Sequence, residues 1–344
     1  MKKISFSKIN MFVKKLFIKI GMKNRDAEKI SYCLCETSLR GVDSHGIKLV
    51  PHYINSGIHG RKNPNPNFKV KMKYSGILTL DADNAYGHIA GLKAIDLGIK
   101  KSKKLGICAV SVINSTHPGA MGSIALRAAE KGFICFAFTH ADALIRSTNG
   151  KRPYFGTNPI CFTAPRKNDG PYCLDMSSSI ISWNKLMELR KIKKKSKILY
   201  GSNYLGKDTR SLNDIISLLP MGDYKGFALA SMIEILCGIY SGMDFGRKIK
   251  SMYRTSIKKK RHLSQFYILL KVDGVISKNR FLDRMEKLSK QVRSEPKIKL
   301  KNKVMLPNDP ELKISNERFS KGIPISNELL LEFKRLSSKH KISF

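Results

Sequence analysis

The sequence predicts an α/β protein built from two domains. At 344 residues the chain exceeds what one hydrophobic core comfortably organises, so two domains, interleaved along the chain, are the expected arrangement. Apolar residues make up 42% of the chain, which is enough to bury a sizeable core. From Phe68 onward, stretches with the alternation of strands are interleaved with stretches that have the periodicity of helices.

The first 60 residues are predicted to be mostly helical. One amphipathic helix has an apolar stripe formed by Phe12, Val13, Leu16, Phe17 and Ile20. A second helix is expected to begin after Asn24 as its N-cap and to stop near Gly41. Residues 47–58 also look helical and lead into GRKNPNPN, a breaker-rich stretch that predicts a domain boundary.

Residues 69–141 have a strand–helix–strand order. KVKMKYSGILTLDAD predicts two strands joined by a turn at Ser75-Gly76, and GHIAGLKAIDLGIKKSKKLG predicts a helix that ends at Gly106. ICAVSVIN and FICFAFTHA predict strands, and IALRAAEKG between them predicts a helix. This order is typical of nucleotide-binding domains, but no GxGxxG pattern follows a strand, so a standard Rossmann fingerprint is absent.

The second half begins with strand-like FGTNPICFTAP and YCLDMSSS, followed by a lysine-rich insert at 191–207. A Pro-Met-Gly loop then leads Lys225 and Gly226 into an apolar helix. A helix N-terminus with a lysine beside it predicts a phosphate site. QFYILLKVD predicts a strand, and the remaining segments alternate with helices towards a basic tail.

The chain is predicted to be a cytoplasmic protein without a membrane span. Lysines interrupt the N-terminal apolar residues, as they would not in a signal peptide. The longest apolar run, residues 226–243, contains Glu234 and suits a buried helix. Seven scattered cysteines without a CxxC pair indicate a reducing compartment.

The formal net charge is +38, and two interpretations are open. A nucleic acid or an anionic membrane is one possible partner. Biased composition is the favoured explanation, because the lysine runs are short and lack interleaved aromatic residues. A field of this sign favours anionic small-molecule ligands in either case.

Two histidine segments carry the most concentrated chemistry. RGVDSHGIKLVPHY, residues 40–53, follows the second predicted helix, and NSTHPGAMG, residues 114–122, follows a predicted strand. Each combines imidazole with hydroxyl groups and glycines. We expect the two segments to face one pocket.

The sequence resembles the type-2 malate/L-lactate dehydrogenase-like oxidoreductases, a family that includes ureidoglycolate, sulfolactate and diketogulonate-type enzymes. The resemblance is carried by LRGVDSHG, SVINSTHPGAMGSIALRAAEKG, FGTNPICFTAP, LDMSSS and LPMGDYKGFALASMIEILCGIYSG, with a weaker VMLPNDPE near the C-terminus. It implies a non-Rossmann cofactor domain with a large mixed, mostly antiparallel sheet at about 71–244. It also implies a helical substrate domain formed by residues 1–70 together with about 245–344, and a homodimer.

The resemblance further implies hydride transfer between NAD or NADP and a small carboxylate substrate, a 2-hydroxy or 2-oxo acid. Imidazole is the side chain best matched to moving the accompanying proton near neutral pH, and the family motifs place this role at His45 or His117. Ser44 and Asp43 are expected to orient His45 or to bond the substrate, although Asp43 equally suits a helix cap.

Lys48 and Tyr53 are the predicted substrate-binding residues. Many relatives carry an arginine hereabouts, which would grip a carboxylate through two hydrogen bonds, whereas this chain has Lys48 followed by Leu49. No metal-ligand spacing stands out, so a metal-free site is predicted.

The predicted cofactor-binding residues come from four places in the chain. They are His140, the turn formed by Asp175, Met176, Ser177 and Ser178, the pair Lys225 and Gly226, and the C-terminal turn formed by Pro307, Asn308 and Asp309. Some positions depart from the family pattern. His140 replaces an expected asparagine, Asn308 replaces a glycine, and Asn184 stands where many relatives have glycine.

The sequence therefore predicts an NAD(P)-dependent oxidoreductase of 2-hydroxy acids. One alternative is a reductase of cyclic imino acids of the piperideine- or pyrroline-2-carboxylate kind. A distant alternative is a basic nucleic-acid-binding protein on an inherited enzyme fold, for which only the charge argues. The choice between NAD and NADP stays open.

Overall fold

The computed structural model describes residues 2–344, in which fourteen strands and ten α-helices alternate. The strands are β1 (Lys2–Ile4), β2 (Lys69–Tyr74), β3 (Ile77–Asp81), β4 (Ile107–Ser115), β5 (Phe133–Thr139), β6 (Ile145–Arg146), β7 (Pro153–Phe155), β8 (Ile160–Ala164), β9 (Tyr172–Met176), β10 (Gly201–Ser202), β11 (Asp208–Thr209), β12 (Ser217–Leu218), β13 (Leu263–Lys271) and β14 (Ile323–Ile325). The helices are α1 (Phe6–Lys19), α2 (Asn24–Leu39), α3 (Val50–Ile58), α4 (Gly87–Leu105), α5 (Gly122–Glu130), α6 (Trp183–Ile192), α7 (Tyr224–Glu234), α8 (Lys278–Ser294), α9 (Asp309–Lys321) and α10 (Asn327–His340).

Both ends of the chain build one helical core. Strand β1 pairs antiparallel with β14, and α1 packs against α10 through Phe12 and Phe333, whose ring centroids lie 5.4 Å apart. The apolar stripe predicted for the first helix is the face that α1 buries. Helix α2 starts at Asn24, but its N-cap is Lys23, and no side chain caps it.

A seven-stranded mixed sheet forms the centre of the molecule, in the order β2-β3-β4-β13-β5-β8-β9. Only β3 and β4 run parallel, and the other five neighbouring pairs are antiparallel. Helices α4 and α5 pack on it and share its largest apolar core with β4, β5 and β13. The mixed α/β class predicted from the sequence is thereby confirmed, as are the turn at Ser75-Gly76 and the helix end at Gly106.

Strand β13 joins the central sheet from outside the segment predicted to form the cofactor domain. Residues from about 245 onward are assigned by the family resemblance to the helical domain, yet β13 lies in the middle of the seven-stranded sheet between β4 and β5. Its residues Leu263–Gln265 and Tyr267 are buried, as expected for a central strand. The sheet therefore recruits a strand from the C-terminal third of the chain.

A second, five-stranded sheet holds the lysine-rich insert. Its order is β11-β10-β12-β6-β7, and its small core includes Ile145, Leu186 of α6, and Leu218. Helix α7 continues into a turn of π-helix at 235–239. Among residues 2–344, no helix is both long enough and apolar enough to cross a membrane.

Candidate active site

The His45 segment is positioned by the end of α2. Residues 43–45 form a 3-10 turn directly after this helix, and Gly46 then passes so close to it that a β-carbon would overlap Ser38. The Ser38 hydroxyl accepts a hydrogen bond from the Ile47 amide at 2.9 Å. Close packing that only glycine permits thus fixes His45 against a helix end.

The His117 segment is positioned by the start of α4. Thr116 donates a hydrogen bond to the Ala85 carbonyl at 2.9 Å and accepts one from the Gly87 amide at 3.1 Å. Two residues after His117, Gly119 has φ = 73°, and a β-carbon there would meet the His88 ring. This loop therefore depends on glycine both for its backbone conformation and for space.

The structure brings the two histidines together, face to face. Their ring centroids are 5.8 Å apart and the ring planes are inclined by 25°. The Nδ1 atom of His45 lies 2.8 Å from the Ser44 hydroxyl, and Nδ1 of His117 lies 2.7 Å from the Tyr53 hydroxyl. Because both Nδ1 atoms are engaged by the protein, the Nε2 atoms are the ones available to a ligand.

Both imidazoles are held neutral near pH 7. Burial, followed by a weaker contribution from Lys48 that Glu188 opposes, lowers the pKa of His45 to about 4. Burial and the neighbouring His45, Lys62 and Arg261 hold the pKa of His117 well below its ordinary value. A neutral ring carries one proton: in His117 it is on Nε2 when Nδ1 accepts from the Gly119 amide at 3.3 Å, and on Nδ1 when the Tyr53 hydroxyl accepts it, which frees Nε2 to accept a proton.

The two histidines line a cavity of about 510 Å³ whose wall is strongly basic. Six lysine and arginine residues line it, and Asp142 is the one carboxylate residue among those lining it; Asp142 is paired with Arg261 at 2.5 Å. The other five have no carboxylate within 4 Å among residues 2–344, and we call them the cationic end: Arg152, Arg247, Lys248, Lys250 and Arg254.

A smaller cavity of about 190 Å³ adjoins the histidines on another side and shares His45 and His117 with the first. It is lined by Gly119–Met121 and by Asp175–Ser177 at the end of β9. We call this part of the cleft the turn end. In contrast to the cationic end, it has no lysine or arginine among its lining residues.

Asp175 ties the turn end to helix α5. Its carboxylate accepts a hydrogen bond from the Gly122 amide at the start of α5, at 2.7 Å. The side chain reaches cleft solvent, but protein surrounds it on most sides. This desolvation raises the pKa of Asp175 to about 6, while the Gly122 hydrogen bond and the positive charge of Arg40 lower it by smaller amounts.

The Lys225–Gly226 pair meets the same turn. Gly226 is buried where a β-carbon would overlap the backbone of Met221 and Ser178, and Ser178 accepts a hydrogen bond from the Met221 amide at 2.9 Å. The predicted Asp175–Ser178 and Lys225–Gly226 motifs are therefore neighbours in space. Lys225 itself is exposed at the first turn of α7.

The C-terminal turn at 307–309 is built into an ion-pair network. Asp309 contacts Arg293 at 2.7 Å and Arg166 at 3.3 Å. Asn308 has φ = 81° and is buried, and its side chain donates to the Pro171 carbonyl at 2.5 Å. Asparagine tolerates this left-handed conformation, so it can stand where the family has glycine, with its amide turned into the protein.

Three predicted residues near His45 are engaged elsewhere in the protein. Asp43 forms a two-pronged ion pair with Arg318 of α9, at 2.6 and 2.9 Å. Lys48 is paired with Glu188 of α6 at 2.7 Å and does not line the cavity. Tyr53 is fully buried, and its hydroxyl contacts His117, so it supports that ring from below.

His140 lies at the inner wall of the turn end. Its Nε2 accepts a hydrogen bond from the Ser264 amide at 2.9 Å, and its Nδ1 lies 3.9 Å from Glu234 of α7. Since an amide can only donate, the proton of the neutral ring is on Nδ1, facing Glu234. The hydrogen bond to Ser264 ties the end of β5 to β13.

Sequence reasoning missed the contributions of two segments. Residues 246–261 supply most of the basic wall, and Arg61 holds this segment by donating to the carbonyl oxygens of Met252, Thr255 and Ser256. Asn184 of α6 donates to the Ser44 carbonyl at 3.0 Å and accepts from the Tyr253 hydroxyl at 3.2 Å. The only signal was the density of basic residues in GRKIKSMYR, which resembles the lysine excess of the whole chain.

A family model described as Malate/L-lactate dehydrogenase matches residues 4–334. Malate dehydrogenase of Pyrococcus abyssi is 29% identical over 338 residues, which cover 95% of this chain and 92% of that protein. Ureidoglycolate dehydrogenase (NAD(+)) of Escherichia coli strain K12 is 26% identical over 327 residues, covering 95% and 93% of the two chains.

Solved structures show the same architecture. The crystal structure of malate dehydrogenase from Entamoeba histolytica superposes with a TM-score of 0.94 at 26% identity, covering 100% of this chain and 99% of that one. The Δ1-piperideine-2-carboxylate reductase from Pseudomonas syringae pv. tomato superposes with a TM-score of 0.87 at 23% identity, covering 98% and 100%. The second likeness concerns the fold alone.

Proposed function

The chain belongs to the malate/L-lactate dehydrogenase family, and from this premise we propose that its two facing histidines move the proton in the interconversion of a 2-hydroxy acid and a 2-oxo acid. The enzyme is an oxidoreductase that acts on hydroxy acids with NAD or NADP. The observation that carries the proton-transfer role is the His45–His117 pair, with both Nε2 atoms available in a cavity lined by basic residues.

The residues of the turn end suit a nucleotide. Gly119 and Ala120 leave space beside the histidines, Ser177 offers a hydroxyl, and the start of α7 lies against Ser178. Bound there, NAD(P) supplies or accepts the hydride. We propose that Asp175–Ser178, His140, Lys225–Gly226 and the 307–309 turn form this site. His140 and Asp309 would act by holding its walls, because both are engaged by other protein groups.

We assign the proton transfer itself to His117. Its Nδ1 is held by the hydroxyl of a fully buried tyrosine, whereas Nδ1 of His45 contacts the hydroxyl of its chain neighbour Ser44, which is only partly buried. A rigidly held ring keeps its Nε2 atom at one place relative to the reacting carbon, which is what general acid/base catalysis requires. His45 then hydrogen-bonds the substrate oxygen or carboxylate from the facing side.

The cationic end takes the place of Lys48 as the binding site for the substrate's negative charge. Lys48 is paired with Glu188, while the five basic residues of the cationic end have no carboxylate partner among the residues that the structure describes. Concentrating unpaired cations in a concave site raises the local concentration of anions. We therefore propose a substrate with a second anionic group besides its 2-hydroxy carboxylate. This charge pattern favours a dicarboxylate-like substrate over a cyclic imino acid with a single carboxylate.

The finer features of the family are also proposed for this chain: a non-Rossmann cofactor domain at about 71–244, completed by β13, and a homodimer. An apolar strip on α7 and the following π-turn supports the dimer, because Met232, Ile235, Ile239 and Tyr240 are 38–59% exposed. Sedimentation velocity of the purified protein tests it. A cytoplasmic location fits the seven buried thiols.

The test of function is a substrate panel with the purified full chain. Oxidation of NADH and NADPH is followed spectroscopically with 2-oxo acids that carry one or two acidic groups, and with cyclic imino acids. We expect the highest kcat/KM with 2-oxo acids that carry a second acidic group. Turnover restricted to cyclic imino acids would instead show an imine reductase, and cofactor binding without any turnover would refute both activities.

The distant alternative, a nucleic-acid-binding protein, rests on the net charge of +38 alone. Binding through phosphate contacts weakens steeply with salt. Absent or salt-insensitive binding to duplex DNA and RNA dismisses this alternative.

A further inference from the structure

Lys62 places a buried amine next to the histidine pair. It lies in the GRKNPNPN stretch after α3, which the sequence predicts to be a linker, yet the residue is only 2% exposed. Lysine is rarely buried to this degree without a carboxylate partner. In the part of the chain that the structure describes, its Nζ atom has one hydrogen bond, to the Thr116 hydroxyl at 3.2 Å, and the charges acting on it are those of Arg261 and Arg61.

The amine contacts the groups that hold His117. Nζ lies 4.0 Å from the centroid of the Tyr53 ring, and the hydroxyl of that ring is 2.7 Å from His117 Nδ1. Thr116, the hydrogen-bond partner of Lys62, directly precedes His117 in the chain. Lys62 is therefore connected to His117 in two ways. It contacts the Tyr53 ring, whose hydroxyl contacts His117, and it bonds Thr116, which directly precedes His117 in the chain.

Lys62 faces His117 from behind the main cavity. A separate cavity of about 10 Å³ is lined by both residues, together with Thr116, His52, Arg61 and Arg261. His117 also lines the 510 Å³ cavity, whereas Lys62 does not. The amine thus influences the ring without reaching a substrate.

Lys62 and His117 compete for protons because of the charges that surround them. Burial and the charges of Arg261 and Arg61 hold the pKa of Lys62 well below its ordinary value. The titratable and charged groups around His117 are His45, Lys62, Arg261 and His88, with Tyr53 on its Nδ1, and none is a carboxylate. The one nearby acid, Asp142, is paired with Arg261. Two bases in such a site hold one proton far more readily than two.

We propose that Lys62 is a positioning residue for the reaction: it fixes the Tyr53 ring beneath His117 and, in its protonated form, opposes protonation of His117 by charge repulsion. His117 thereby stays in its proton-accepting form when a hydroxy acid is oxidised, including in mildly acidic solution. This inference rests on the proposed function. It assigns a role to a lysine that neither contacts the substrate nor lines its cavity.

The experiment is the pH profile of kcat/KM for hydroxy-acid oxidation by the full-length enzyme and its variants. Lys62→Met keeps the apolar stem and removes the amine, so the acid limb should move to higher pH, while the plateau stays within about threefold. Lys62→Arg keeps a cation and should retain the wild-type acid limb. Lys258→Met removes an exposed lysine outside both cavities and controls for net charge.

A Lys62→Met enzyme with the wild-type acid limb would overturn the proposal, and so would identical profiles for the Met and Arg variants, which would show a purely structural role. A second measurement covers the case in which the variants do not fold. In wild-type protein labelled with ¹³C at the lysine Cε atoms, one resonance should titrate well below the others, and its absence would refute the proposal. The labelling result stands even if no hydroxy acid is oxidised, so it is independent of the proposed function.

Discussion

The two ends of the cleft differ in the groups that line them. The cationic end presents five long basic residues, at 152 and within 247–254, that have no carboxylate within 4 Å in the described part of the chain. The turn end presents a glycine, hydroxyl groups and a carboxylate that is hydrogen-bonded to a helix N-terminus, and its lining residues include no lysine or arginine. One end relies on side-chain charge, and the other relies on close approach of the backbone.

This difference determines which positions require a particular residue type. Backbone approach needs glycine at particular positions, as at Gly119 and Gly226, where a β-carbon has no room. Charge at a flexible distance from the ligand can come from any lysine or arginine that reaches the cavity. A turn that depends on close backbone packing therefore leaves a motif in the sequence, whereas a wall of basic residues leaves only a basic composition.

The largest effect is expected at the histidines, where the two ends meet. His117→Asn removes the ring that exchanges the proton, and kcat/KM should fall by about 10²- to 10⁴-fold. Steady-state kinetics with the best substrate of the panel measures this loss. His59→Gln, which changes an exposed histidine on α3's C-terminal side, is the matched control. If His45→Asn costs more activity than His117→Asn, the roles of the two rings are exchanged.

A substitution in the backbone-dependent end should cost stability as well as cofactor affinity. Gly226→Ala forces a methyl group into the backbone of Met221 and Ser178, and the free energy of unfolding should fall by about 1–3 kcal/mol. Urea unfolding and NADH fluorescence titration measure the two effects. Gly76→Ala, in the open β2–β3 turn, is the control, and equal losses in both variants would contradict the close approach.

A substitution at the cationic end should change selectivity and leave stability unchanged. Arg254→Gln removes one unpaired cation, so KM for a substrate with two acidic groups should rise about three- to tenfold at low salt, with less change for one acidic group. Lys259→Gln, exposed and outside the cavity, controls for overall charge. An equal rise in KM for both substrate types would show that Arg254 does not recognise the second anionic group.

The smallest effect concerns Asp175 and pH. Its folded-state pKa is raised to about 6 from 3.8, so its contribution to stability is fully present below pH 3.8 and is lost as the pH rises through 6. The free energy of unfolding of Asp175→Asn, relative to that of the wild type, should therefore increase from pH 4.5 to pH 7.5. The increase should be less than about 1 kcal/mol, because cleft solvent screens the carboxylate. Urea unfolding at the two pH values measures it, with exposed Asp214→Asn as control. A larger relative stability of the variant at pH 4.5 than at pH 7.5 would refute the argument.

Most secondary structure could be predicted because it is encoded locally. The stripe of α1, the turn at Ser75-Gly76 and the end of α4 at Gly106 each follow from a few neighbouring residues. The placement of β13 could not be predicted from periodicity, because a strand pattern carries no information on which strands flank it.

The site was predictable to the extent that its residues stand in motifs. His45 and His117 were expected to face one pocket, and the structure places their rings 5.8 Å apart. Lys48 was expected to face the substrate, but Glu188, 140 residues away, pairs with it. Lys62 lay in a stretch of breakers that predicts exposure, and only the tertiary contacts with Tyr53 and Thr116 reveal that it is buried.

The pairing of β1 with β14 has a consequence for the order of folding during synthesis. Helix α1 and strand β1 are synthesised more than 300 residues before the Phe333 ring and the strand β14 with which they pack and pair. Contacts this distant in sequence are slow to form. The helical core must therefore close last, around a central sheet that is itself incomplete until β13 has emerged.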